Sequence, residues 1–363
     1  METYYCIALS KIEGIGRATL KRILTIAGSA RNVFENPDSW RKKLQSGKRF
    51  QVEIKLNDTL RRAVDEEMGF MAKHNIQLCQ YLNPAYPARL KRCPDAPLMF
   101  YYIGNGNFQQ PRMLAVVGTR NATTYGIRSL TKILEDLKES NIATISGLAY
   151  GIDTAAHEVS VNLGIPTMAV MGCGLGTIYP SSNRALAGSI LEHNGTLISE
   201  FDFTTGPDRM NFPARNRIIA GMADAVLVAE SGLKGGSIIT AHIASSYNRD
   251  IFAIPGTIFD ERHEGCHELI RKNMAAIATS GKDILEMMNW DVAPKNVQTE
   301  LFPDLSEEEE VIFRFIKQGR KTIDEISEHC PEHSPSKLAG LLLTMELKGI
   351  IFALPGKSYS TEA

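Results

Sequence analysis

Between residues 70 and 290, short apolar runs alternate with stretches of helical periodicity, and this alternation restricts the fold more than any other feature. The runs are LAVVG (114–118), IATIS (142–146), TMAVMG (167–172), GTLIS (195–199), DAVLVA (224–229) and DIFAIPG (250–256). Each is continuously apolar rather than alternating, the pattern of strands covered on both faces. Strands of that kind separated by helices predict a doubly wound α/β fold with a parallel sheet. Ligands of such sheets gather at the carboxyl ends of the strands. Here those ends read Gly-Thr-Arg, Ser-Gly-Leu, Gly-Cys-Gly and Ser-Glu, a glycine-rich crevice.

The segments on either side have a different character. Residues 1–66 read as a helical domain. IEGIGRATLKRIL (12–24) has the glycine-hairpin form of a helix-hairpin-helix, SAM-like unit followed by a basic helix. Such a hairpin either grips a phosphate backbone or simply turns between two packed helices. Residues 67–290 are expected to form the α/β domain, and 291–303 (DVAPKNVQTELFP) a linker. Residues 304–363 carry two capping boxes, Ser306 with Glu309 and Thr322 with Glu325, and Pro335 after Ser334 as a helix start. With IIFALPGKSYS as strand and turn, this tail predicts a winged helix.

Composition decides what these segments are asked to bind. Residues 1–110 hold 17 Lys and Arg against 10 Asp and Glu, a balance of +7; residues 111–303 and 304–363 each stand at −4. The third helix of the tail offers only Lys337 and Lys348 as cations, fewer than a DNA-reading helix brings. A protein-binding or structural role is therefore expected there. The six cysteines are scattered with no CxxC, which fits reduced thiols. No apolar run reaches the ~20 residues of a membrane span, and a soluble cytoplasmic protein is expected.

Several occupants of the crevice can be weighed. The turn after the first strand has Gly118 and Gly126 but not the GxGxxG spacing, and no acidic residue closes IATISG, which argues against NAD or FAD. The lysine of a Walker loop is missing. Ser146, Asp153 and His157 suggest a triad, yet no GxSxG elbow is present, Asp153 sits at a helix start, and His157 follows Ala155 and Ala156 on a packed helix. GLKGGSIITAHIA (232–244) has the double glycine of phosphoribohydrolases without the glutamate that would serve as base; Gly235, Gly236 and Ser237 still offer N–H and hydroxyl groups to an oxyanion. A polymer of phosphates fits better. GPDRMNFPARNRIIAGMAD (206–224) sets Arg209, Arg215 and Arg217 around Phe212, with Asn211 and Asn216. Cations beside an aromatic are what a single strand needs, although a core Phe with paired arginines would give the same pattern. Arg120 at a strand end and Arg184 in YPSSNR add to a phosphate-lined groove.

Together, VVGTRNATTYG, ISGLAYGIDTAAH, MGCGLGTIYPSSN, FPARNRIIAG, GGSIITAHIA and IFAIPG, with the upstream YPARLKRCPDAPLMFYYIGN, resemble the DNA-processing protein A (DprA, or Smf) family in that order. The resemblance implies a Rossmann-like domain that forms homodimers. It also implies single-stranded DNA binding without catalysis or cofactor, in which DNA entering during natural transformation is protected and the RecA recombinase is helped onto it. Carried over by position, Gly118-Thr119-Arg120 is the family's phosphate loop, and Phe212 with Arg209, Arg215 and Arg217 its strand-binding stretch. Tyr150 departs from the family, which often has a basic residue there. The expectation is that a backbone phosphate is held by the Gly118 and Thr119 N–H groups and the Arg120 guanidinium. The alternative is a phosphoribohydrolase-like, nucleotide-processing enzyme on the same fold.

Overall fold

The computed structural model describes residues 1–44, 54–290, 305–348, 350–354 and 358–361. The chain divides into two compact units, Met1–Asp291 and Val292–Ala363. The linker expected at 291–303 lies outside the described residues.

The first unit is built on a nine-stranded sheet: β1 (Gln77–Gln80), β2 (Met99–Gly104), β3 (Arg112–Gly118), β4 (Ile142–Ser146), β5 (Thr167–Met171), β6 (Thr196–Ser199), β7 (Ala225–Glu230), β8 (Asp250–Ala253) and β9 (Ala276–Ile277). Their order is β1-β2-β6-β5-β4-β3-β7-β8-β9. Strands β3 to β9 run parallel to their neighbours, whereas β1 and β2 are antiparallel additions at the β6 edge. The six expected strands are β3 to β8. The expectation omitted β1, β2 and β9. β1 is four residues with a glutamine at each end and only Cys79 buried, and β9 has only two residues.

Side chains alternate across the sheet. Met113, Ala115 and Val117 of β3 join Ile218, Ile219, Ala241 and Ala244 from helices Asn211–Met222 and Gly236–Ser246 on one face. Leu114 and Val116 join Leu130, Ile133, Leu134, Ile152 and Ala156 from helices Thr124–Leu137 and Ile152–Asn162 on the other. The helix after β3 thus covers one face and the helix after β7 the opposite face. Between these adjacent strands the chain changes side, and a crevice opens at their carboxyl ends.

Among the described residues, five helices precede the sheet: Glu2–Ser10, Arg17–Ala27, Ala30–Glu35, Pro37–Arg41 and Asp58–Lys73. Their core of Ile7, Leu20, Ile23, Trp40 and Val64 is continuous with Met99 and Tyr101 of β2. Lys11 ties them further through Glu67 at 2.7 Å and Asp202 at 3.3 Å. Position 66, the expected edge of the helical segment, falls inside helix Asp58–Lys73. Of the cations on the basic helix after the hairpin, Arg17 pairs with Glu200 at 3.1 Å and Lys21 donates to the Pro94 carbonyl at 2.6 Å, while Arg22 is exposed.

In the second unit, helices Glu307–Ile316, Ile323–His329 and Pro335–Leu347 enclose Ile312, Ile326, Leu338 and Leu342, beside strands β10 (Lys321–Thr322), β11 (Phe352–Leu354) and β12 (Ser358–Ser360) in the order β10-β12-β11. Both expected capping boxes form, and Ser334 caps the third helix. The turn between β11 and β12 lies outside the described residues. All six cysteines are buried and free.

Candidate nucleic-acid interface

The crevice between β3 and β7 contains a cavity of about 300 Å³. Its lining brings together Gly118 at the end of β3 with Thr119 and Arg120 after it, Phe212, Arg215 and Asn216 from the helix after β6, and Gly235, Gly236 and Ser237 after β7. Phe212, Arg215, Asn216 and Ile219 all line it, spaced i, i+3, i+4 and i+7 along helix Asn211–Met222. That spacing is one face of a helix.

The loops can approach this closely because glycines sit at the contacts. A Cβ at Gly118 would collide with Ile152, the first residue of the helix after β4, and one at Gly147 would overlap the Arg215 guanidinium. Arg120 is exposed and lies over the Phe212 ring at 4.7 Å from its centroid. Helix Gly236–Ser246 opens on the same cavity with Gly235 as its N-cap. Its first turn leaves N–H groups without intrahelical partners, a favourable place for an anion. The Ser237 hydroxyl donates to Ser231 at 2.7 Å.

Several expectations are corrected by this geometry. The Thr119 N–H is not free for phosphate: it donates to the Glu230 carbonyl at 2.7 Å, continuing the β3–β7 ladder. Arg215 is 4% exposed and lies at the back of the cavity, where Nη1 donates to the Val170 carbonyl at 3.1 Å and stands 3.8 Å from Asp153. Burial lowers its pKa, opposed by Asp153; burial likewise raises Asp153, opposed by Arg215. Arg217 is absent from the lining. Two residues along a helix is a turn of about 200°, and its guanidinium instead meets Glu200 and the Asp95 carbonyl. Arg184, the first residue of helix Arg184–Glu192, and Arg209 are both exposed and also lie outside the lining.

The residues weighed as a triad do not form a relay: Ser146 interacts with the Asp153 carboxyl, but His157 pairs with neither. The Ser146 hydroxyl donates to the Val116 carbonyl at 2.7 Å. His157 Nδ1 is 2.8 Å from the Thr167 hydroxyl, while Nε2 is buried without a partner. Burial, with Arg215 adding to it, brings the His157 pKa down to about 3, so the ring is neutral. Glu230 Oε2 accepts from the Thr123 N–H at 2.9 Å, at the start of helix Thr124–Leu137, while Oε1 is buried without a partner.

A smaller recess adjoins the cavity, sharing Arg120, Ala149, Phe212 and Arg215 and adding Tyr150, Tyr179 and Pro180. Tyr179 was not anticipated, since a lone Tyr before a proline carries no helical or strand signal. Among the described residues, no group of three or more His, Cys, Asp or Glu is placed to hold a metal ion. Nor is any helix among them long and apolar enough to cross a membrane.

Residues 77–289 match the family model described as DNA recombination-mediator protein A. Protein Smf of Escherichia coli K12 is 33% identical over 307 residues, 82% of this chain and 80% of its own. DNA processing protein DprA of Streptococcus pneumoniae is 42% identical over 204 residues, 56% of this chain and 71% of its own. An X-ray structure of the S. pneumoniae protein superposes with a TM-score of 0.63 at 32% identity, covering 78% of this chain and 97% of that one. A Helicobacter pylori DNA processing protein A, whose structure concerns a unique single-stranded DNA binding mode, superposes at 0.54 with 26% identity, covering 60% and 96%.

Proposed function

The chain belongs to the DNA recombination-mediator protein A family, and from that premise we propose that it is a single-stranded-DNA-binding recombination mediator. In this reading it protects DNA entering during natural transformation and helps load RecA onto it, as a cytoplasmic homodimer without enzymatic turnover. One observation carries the DNA reading: the exposed Arg120 guanidinium lies over the Phe212 ring and lines one cavity with the start of helix Gly236–Ser246. A strand offers a phosphate and a base at each step. The phosphate pairs with Arg120 and the N–H groups of Gly236 and Ser237, and the base stacks on Phe212. The single-stranded DNA binding mode of the H. pylori relative supports the same ligand here.

The residues favour this over the nucleotide-processing alternative. The one carboxylate lining the cavity, Asp153, is set against buried Arg215. In the proposed winged helix at the tail, Lys337 pairs with Glu308 at 2.5 Å and Lys348 with Glu309 at 2.7 Å, so the two cations of its third helix are already engaged. That supports a protein partner for the tail. Fluorescence anisotropy across a salt series, with an oligonucleotide beside free nucleotides, tests the reading. Salt-sensitive binding of the oligonucleotide alone is expected; release of base from a nucleotide would replace it with the enzyme. For the RecA step, filament formation on strand already coated by this protein should proceed faster than on strand coated by an unrelated binder.

A further inference from the structure

We propose that Tyr150 and Tyr179 join Phe212 in a base-stacking subsite beside Arg120, so that the interface holds a strand by its bases as well as by its phosphates. This rests on the single-strand reading above. Both tyrosines line the smaller recess with Arg120 and Phe212, and no carboxylate lines it. Both rings stay accessible, at 49% and 41% exposed. Neither phenol hydroxyl bonds to a protein group among the described residues, so neither ring is there to satisfy a structural hydrogen bond. Tyr179 stands 6.4 Å from Phe212 between centroids, inclined at 44°.

The backbone bearing Tyr150 is held on both sides. Asn183 Nδ2 donates to the Leu148 carbonyl at 2.9 Å, and the Thr154 N–H and hydroxyl donate to the Ala149 carbonyl at 3.1 and 2.7 Å. The Ile152 N–H donates to the Thr119 carbonyl at 3.1 Å, locking this loop to the one bearing Arg120. A large flat side chain on a fixed loop loses little freedom on binding, which is how aromatic contacts gain affinity. Stacking also tolerates any base, as a sequence-independent binder requires.

The test compares poly-dT with an abasic oligonucleotide of equal length and charge, using the full chain at fixed salt. The double variant Tyr150→Ala/Tyr179→Ala should lose roughly 25-fold or more on poly-dT, at about fivefold or more for each of two stacked bases, and should be unchanged on the abasic strand. Tyr150→Phe/Tyr179→Phe, which keeps the rings, should bind as the wild type does. If the alanine variant melts early, Tyr150→Leu/Tyr179→Leu replaces it. Equal losses on both oligonucleotides, or no loss on poly-dT in a variant with an unchanged melting temperature, overturn the proposal. A wild type that binds both strands equally overturns the stacking while leaving the single-strand reading intact; one that binds neither defeats that reading itself.

Discussion

Arg120 and Phe212 contact one another yet should fail differently when removed. Arg120→Ala should weaken every single strand alike, because the contact is to backbone. It should also reduce the slope of log affinity against log salt by roughly 0.7, one phosphate's worth; an unchanged slope in a salt titration would remove Arg120 from the interface. Phe212→Ala should cost ~1–3 kcal/mol of binding with the slope nearly intact, read from the same titration together with a melting curve. His157 should act only on stability. Its folded pKa of about 3 lies below the ordinary 6.5, so between those values the unfolded chain binds more protons than the folded one. The stabilisation is complete above 6.5 and is lost as pH falls towards 3, by at most about 1.4 kcal/mol per pH unit. Urea melts should therefore show the gap between wild type and His157→Asn narrowing from neutral pH to the acid end of that window.

At the scale of elements, helix Asn211–Met222 shows what local sequence can and cannot reveal. Phe212, Arg215 and Asn216 looked like one cluster with Arg217, and three of the four do line the cavity. Helical phase, once applied, excludes Arg217. What it does not give is the partner, because Glu200 sits directly after β6, before the loop that leads into this helix, and Asp95 precedes β2. Arg217 and Glu200 are each 9% exposed at the side chain. Among the described residues, removing Arg217 leaves Glu200 with only the more exposed Arg17 as a cation, so the cost should approach but stay under the ~3 kcal/mol of a fully stranded buried charge. Arg217→Ala should accordingly lower the melting temperature and leave the salt slope of DNA binding unchanged; a slope reduced by one phosphate would return Arg217 to the interface.

For the whole molecule, the two units make the tail separable in a test. Its core of Ile312, Ile316, Leu338 and Leu342 is its own, and its lysines Lys337 and Lys348 are paired within it. A chain ending near Pro303 should keep most of its single-strand affinity at moderate salt. Anisotropy on full-length and shortened chains checks this. A tenfold loss, about 1.4 kcal/mol, that grows at low salt would place a second DNA site in the tail.

By itself the sequence determined the strands β3 to β8, the helix caps of the tail and the loops that meet at the crevice. All of these are local: an apolar run buries both faces of a strand, a Ser or Thr satisfies the N–H groups three residues on, and a strand's end is where its loop begins. The tertiary structure alone decided that β1 and β2 extend the sheet antiparallel, that Glu230 takes the Thr119 N–H, that Arg215 is buried, and that Tyr179 stands beside Phe212. Each of these depends on which distant group lies opposite. A hydrogen bond or an ion pair is made by two partners, and only one of them is written at any position of the chain.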